Sequence, residues 1–85
     1  DCDKAVENAR WGVDTMLEVS GKNLRSGYLS QAAYDAATPA LEALLAVLTV
    51  QDCQAATGAR RDFYQCMSSD YNHVYACGKA HPFEP

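Results

Sequence analysis

Four cysteines in a chain of 85 residues constrain this protein more than any other feature of its sequence. They occupy positions 2, 53, 66 and 77. An even number of cysteines in so short a chain is typical of a disulfide-stapled exported domain, because a small core alone gives little stability. The sequence begins at Asp1 rather than at an initiator Met, so we expect a processed chain in the periplasm or the extracellular space.

Apolar residues recur at spacings of three and four along most of the chain, which predicts helices and no strand. The first predicted helix covers residues 2–19 and stops at Ser20–Gly21, because glycine favours the left-handed conformation at a helix end. The second covers residues 28–37. It ends before Pro39, because the residue preceding proline is disfavoured in helical geometry and Thr38 is a good N-cap.

Two further helices complete the prediction. Residues 39–52 carry a leucine stripe with alanine and valine around most of the remaining surface, so this helix is expected at the centre of the core. Residues 59–77 form the fourth helix, which stops at Gly78 and leaves an irregular tail over residues 79–85. The loops are short, which favours one domain over residues 1–85: an all-α, small antiparallel four-helix bundle stapled by two disulfides.

Four cysteines allow three disulfide pairings, and helix geometry favours one of them over the others. Cys66 and Cys77 lie eleven residues apart in the sequence. On a straight helix this separation is roughly 16 Å, beyond the limit of about 7 Å between the Cα atoms of bonded cysteines. The preferred pairing is therefore Cys53–Cys66 with Cys2–Cys77, which is consistent with an even number of antiparallel helices.

The position of Asp70 leaves a second disulfide pairing possible. It projects into the apolar face of the fourth predicted helix, so it is either a buried carboxylate that needs a partner or the cap of a break at residues 68–70. A break would permit the alternative pairing, Cys2–Cys53 with Cys66–Cys77.

Composition and motifs disfavour several function classes. The net charge of −4, with seven Lys and Arg, disfavours nucleic-acid binding, and the longest apolar run, residues 43–48, is too short to span a membrane. Cys66, Asp70, His73 and Cys77 form a stripe that is too long for one metal ion to contact throughout. We therefore predict no metal, no cofactor and no catalytic site.

Aromatic residues that lie off the predicted apolar faces suggest protein binding, since exposed Trp and Tyr are typical anchors of interfaces. The candidate residues, with two arginines at the rim, are Trp11, Tyr64, Tyr71, Tyr75, Arg60 and Arg61. A covering of Trp11 by the 21–27 loop or by the tail is an equal alternative. The prediction is a non-enzymatic binding module of the inhibitor, immunity, pilotin or secretion-accessory kind, and the alanine-rich, lysine-poor composition favours a bacterial source.

A carrier of a small apolar ligand or haem is the alternative function. Candidate axial ligands for haem are His73, His81, Tyr71 and Tyr75. A carrier requires an internal cavity, and in this chain the residues expected to line it are Leu41, Leu45, Leu48, Phe63 and Val74. A binding module instead requires a filled core and an exposed aromatic patch.

Overall fold

A computed structural model describes residues 1–69 and 73–83, and confirms the all-α class. Within these residues there are five helices and no strand: α1 (Cys2–Arg25), α2 (Gln31–Val47), α3 (Val50–Ala55), α4 (Gly58–Met67) and α5 (Val74–Ala80). The molecule measures 39 × 23 × 20 Å along its principal axes. None of the described helices combines the length and the apolar character that crossing a bilayer requires.

The helix α1 is longer than predicted. It begins after Asp1, whose side chain accepts a hydrogen bond from the backbone N–H of Asp3, and continues to Arg25. The predicted stop at Ser20–Gly21 is wrong, because one interior glycine costs only about 1 kcal/mol and good helix formers follow it. The turn instead uses Gly27, which has a positive φ of 82°.

The helix α2 continues through Pro39, so the predicted boundary at Thr38–Pro39 is wrong. An interior proline costs about 3 kcal/mol. The alanines on both sides of Pro39 favour the helical conformation and so offset part of this cost. Leu41 and Leu45 offset more of it, because they pack the second half of α2 against the core. The helix ends at Val47 rather than near residue 52, and a separate short helix, α3, follows.

The expectation that the leucine-rich helix lies at the centre of the core is also wrong. No residue of α2 is fully buried. The central helix is α1, which contributes Ala5, Val6, Ala9 and Val13 to the core. These residues pack with buried side chains from the other elements, namely Leu48, Phe63, Tyr64, Met67, Val74 and Cys77.

The fourth predicted helix is divided into α4 and α5. It ends at Met67, where the hydroxyls of Ser68 and Ser69 donate hydrogen bonds to backbone carbonyls three residues earlier and so compete with the helix. A new helix begins at Val74, passes through Gly78 and continues to Ala80. The predicted stop at Gly78 and the start of the tail at residue 79 are therefore wrong. The alternatives for Asp70 itself fall outside the described residues.

The break decides the disulfide pairing. The bonds are Cys2–Cys53 and Cys66–Cys77, each with a Cα–Cα distance of 5.7 Å, so the preferred pairing is wrong and the alternative is confirmed. Because α5 turns back after α4, Cys66 and Cys77 approach each other as they cannot on a straight helix. Disulfides persist in oxidising compartments, so the two bonds indicate a location outside the cytosol.

Candidate functional site

Two large aromatic side chains stand exposed beside the junction of α1 and α5. Trp11 on α1 is 71% exposed and Tyr75 on α5 is 62% exposed. Neither the 21–27 loop nor the described part of the tail covers Trp11. Large aromatic side chains left in water at this level are typical of binding surfaces.

A small pocket lies next to Trp11, between α1 and α5. We call it the α1–α5 pocket; its volume is about 130 Å³ and it is lined by Asn8, Trp11, Gly12, Thr15, Met16, Met67, His73 and Val74. Close packing of the two helices forms its floor. A Cβ atom at Gly12 would lie 2.9 Å from Cγ1 of Val74, so only glycine permits this approach.

A larger apolar groove lies between α2 and α5. We call it the α2–α5 groove; its volume is about 400 Å³ and it is lined by Met16, Leu41, Leu44, Val74, Tyr75, Gly78 and Lys79. A second cavity of about 290 Å³ shares Leu41, Leu44 and Val74 with the groove and extends it to Pro82 and Phe83. Met16 and Val74 line both the pocket and the groove, so Trp11 and Tyr75 belong to one continuous surface.

Local interactions hold α5 at this surface. The Nδ1 atom of His73 accepts a hydrogen bond from the backbone N–H of Ala76, which caps the start of α5. The Cys66–Cys77 disulfide ties α5 to α4. Farther along the tail, the ring of Phe83 lies with its centroid 4.9 Å from that of Phe63, so residues 81–83 also close on the core.

The structure brings together only part of the predicted site. Trp11 and Tyr75 border the same surface. Tyr64, expected on an exposed flank, is only 3% exposed and belongs to the core. Tyr71 lies outside the described residues. Arg61 is exposed, but it lines a different pocket beside the Cys2–Cys53 disulfide.

Tyr64 and Arg60 take part in a polar network with Asp52 of α3. The Tyr64 hydroxyl donates a hydrogen bond to Asp52 Oδ2 at 2.7 Å, and Arg60 forms an ion pair with Asp52 Oδ1 at 2.7 Å. Burial raises the pKa of Tyr64 well above its ordinary value, and the hydrogen bond to the Asp52 carboxylate and its charge raise it further. The Arg60 guanidinium also lies 5.0 Å from the centroid of the Phe83 ring. This network joins α3, α4 and the tail.

Sequence reasoning missed the apolar residues of the surface. Met16, Leu41 and Val74 follow the helical spacing of core positions, so they were indistinguishable from buried residues. They line a surface groove because α5 is only seven residues long and leaves much of α2 uncovered. A sequence signal existed in α2, where apolar residues surround more of the helix than one neighbouring helix covers.

The described residues include no free thiol and no cluster of metal-ligand side chains. All four cysteines form disulfides, so none offers a free thiolate as a metal ligand. Across residues 1–69 and 73–83, no three His, Cys, Asp or Glu side chains are grouped closely enough to hold a metal ion. Comparisons with protein-family models, with curated proteins and with solved structures find no match for this chain.

Proposed function

We propose that this protein is an exported, non-enzymatic module, periplasmic or secreted, that binds another protein through the surface between Trp11 and Tyr75. The observation that carries the proposal is the exposure of these two side chains, 71% and 62%, on either side of a continuous apolar surface. Aromatic anchors next to apolar pockets supply most of the binding energy in typical interfaces. The two disulfides support an oxidising compartment.

The core favours a binding module over a carrier. Leu48, one of the residues expected to line an internal cavity, is 0% exposed and packs within the core. Phe63 is 1% exposed and, with Leu41 and Val74, borders the second cavity of about 290 Å³ that adjoins the α2–α5 groove. The apolar space bordered by these residues belongs to the α2–α5 groove and its adjoining cavity, which open on the surface. An open groove suits contact with a macromolecule, whereas a carrier encloses most of the surface of its ligand.

Affinity capture with matched variants tests the proposal. The wild-type protein, Trp11→Ala and Tyr75→Ala are immobilised and exposed to an extract of the oxidising compartment of the source organism, and bound proteins are identified by mass spectrometry. The control is Tyr28→Ala, because Tyr28 is 86% exposed but lies beyond the far end of α1, roughly 20 Å or more from Trp11.

We expect a partner that binds the wild type and the Tyr28→Ala control equally and binds the other two variants at least about 30-fold more weakly, as for interface hot spots. If every recovered partner bound Trp11→Ala and Tyr75→Ala as tightly as the wild type, the proposed surface would be wrong.

A further inference from the structure

The exposed Trp11 separates two chemically different sides of α1. On the surface of a helix, the neighbours of a side chain are the residues three and four positions away. For Trp11 these are Asn8 and Thr15, which line the α1–α5 pocket, and the acidic residues Glu7 and Asp14. Successive residues are about 100° apart around a helix, so the two acids lie about 40° and 60° from Trp11, on the side away from the pocket. The indole ring therefore has a pocket on one side and two carboxylates on the other.

The two carboxylates have no counter-charge of their own. Glu7 and Asp14 are exposed, and neither forms an ion pair or a side-chain hydrogen bond with any residue that the structure describes. Farther along α1, by contrast, Glu18 pairs with Lys22 at 3.2 Å. The negative charge beside Trp11 is thus available to a cation from outside the molecule.

The cations of α1 do not occupy the ring of Trp11. Arg10 adjoins Trp11 in the sequence, but its guanidinium donates hydrogen bonds to two backbone carbonyls near the C-terminal end of α2. Lys4 and Lys22 are seven and eleven residues from Trp11, roughly 10 and 16 Å along the helix axis. Arg25 lies farther away at the end of the same helix. The ring is therefore left without a cation from its own helix.

The charge of the surface changes along α5. His73 lines the α1–α5 pocket, and its Nδ1 atom accepts a hydrogen bond from the backbone N–H of Ala76, so this ring is in its neutral form. Lys79 lines the α2–α5 groove and lies five residues after Val74, roughly 7.5 Å along α5. The surface is therefore negative beside Trp11 and positive toward the end of α5, with apolar side chains between.

We infer, on the basis of the proposed function, that the partner protein presents a basic segment to this surface. An arginine of that segment stacks on the ring of Trp11, and an apolar side chain beside it enters the α1–α5 pocket. Arginine suits the site because its planar guanidinium stacks on an indole ring and pairs with the carboxylates of Glu7 and Asp14, while its aliphatic stem covers apolar surface. Lysine supplies the charge but not the planar group, so it fits less well.

Selection from a phage-displayed library of short random peptides tests this inference without knowledge of the natural partner. The disulfide-intact protein is the target, and calorimetry measures the affinity of the selected peptides for each variant. The variants are Trp11→Ala and the double variant Glu7→Gln with Asp14→Asn. The control is Glu42→Gln with Asp62→Asn, which changes the net charge equally at exposed positions on α2 and α4. Circular dichroism checks the helical content of all variants.

We expect the selected peptides to be enriched in arginine next to a large apolar residue. Trp11 is the only tryptophan of the chain, so its fluorescence should change when they bind. Trp11→Ala should abolish detectable binding. The Glu7→Gln, Asp14→Asn variant should bind at least about fivefold more weakly, because a cation on the ring loses both counter-charges. The charge-matched control should change the affinity less than about twofold, since its exposed charges are distant and screened by salt.

Two results would overturn the inference and leave the proposed surface in place. One is a set of peptides that require Trp11 but contain arginine no more often than the unselected library, which would indicate a neutral or acidic partner. The other is equal binding to the Glu7→Gln, Asp14→Asn variant and to its charge-matched control. A library that gives no Trp11-dependent peptide would instead overturn the proposed function together with this inference.

Discussion

Alanine at Gly12 should destabilise this protein, although alanine usually stabilises a helix. Gly12 lies inside α1 and faces Val74, the first residue of α5. A Cβ atom at this position would lie 2.9 Å from Cγ1 and 3.0 Å from Cβ of Val74. The Cβ of Val74 is fixed to its backbone, so relief requires a movement of α5 rather than a rotation of one side chain.

The expected magnitude is the difference between two opposing effects. Alanine in place of glycine inside a helix contributes about 1 kcal/mol of stability. Overpacking a closely packed contact costs about 1–3 kcal/mol. We therefore expect Gly12→Ala to lower the free energy of unfolding by up to about 2 kcal/mol. Gly21→Ala is the matched control in the same helix, because its nearest contact is the mobile end of Arg25 at 3.5 Å. It should raise stability by about 0.5–1 kcal/mol.

Urea unfolding with both disulfides intact measures the effect, and the slope against denaturant shows whether the transition remains two-state. The double variant Gly12→Ala with Val74→Ala removes both Cγ methyl groups of Val74, including the one at 2.9 Å, and keeps only the contact with Cβ at 3.0 Å. Its loss of stability should be smaller than the sum of the two single losses by about 1 kcal/mol or more. If Gly12→Ala stabilised the protein as much as Gly21→Ala does, our account of the close contact between α1 and α5 would be refuted.

Two further predictions concern cross-links and titration. Loop-entropy arithmetic predicts that replacing Cys2 and Cys53 by alanine costs about 4 kcal/mol, and replacing Cys66 and Cys77 about 3 kcal/mol, because the closed loops differ in length, with separations of 51 and 11 residues. Denaturant unfolding of the two double variants checks this order, and equal losses would contradict it. The raised pKa of Tyr64 means that its contribution to stability is complete below the unfolded pKa of about 10 and decreases as the pH rises toward the folded pKa. Tyr64→Phe should therefore flatten the fall in stability above about pH 10; an unchanged alkaline slope would show that Tyr64 does not titrate with unfolding.

Part of the candidate site was predictable from local pattern. Trp11 and Tyr75 lie away from the apolar stripes of their helices, and the structure exposes both. The same reasoning failed for Tyr64, which the structure buries where its hydroxyl reaches the Asp52 carboxylate. Asp52 and Tyr64 are twelve residues apart and belong to different helices, so periodicity along one helix contains no information about their contact.

The sequence by itself determined the helical class and most of the apolar positions, because the spacing of apolar residues along a helix is a local property of the chain. It also determined the need for two disulfides, because the number of cysteines in a chain of this length is a property of its composition. Only the tertiary structure decided how the cysteines pair, since that depends on the end of α4 at Met67 and on the position of α5, which brings the Cα atom of Cys77 within 5.7 Å of that of Cys66. It also decided that α2 continues through Pro39, because contacts with α1 outweigh a local penalty. The tertiary structure also decided the α2–α5 groove. Its leucines have the spacing of core residues in the sequence, but they border an open surface because α5 is too short to cover α2.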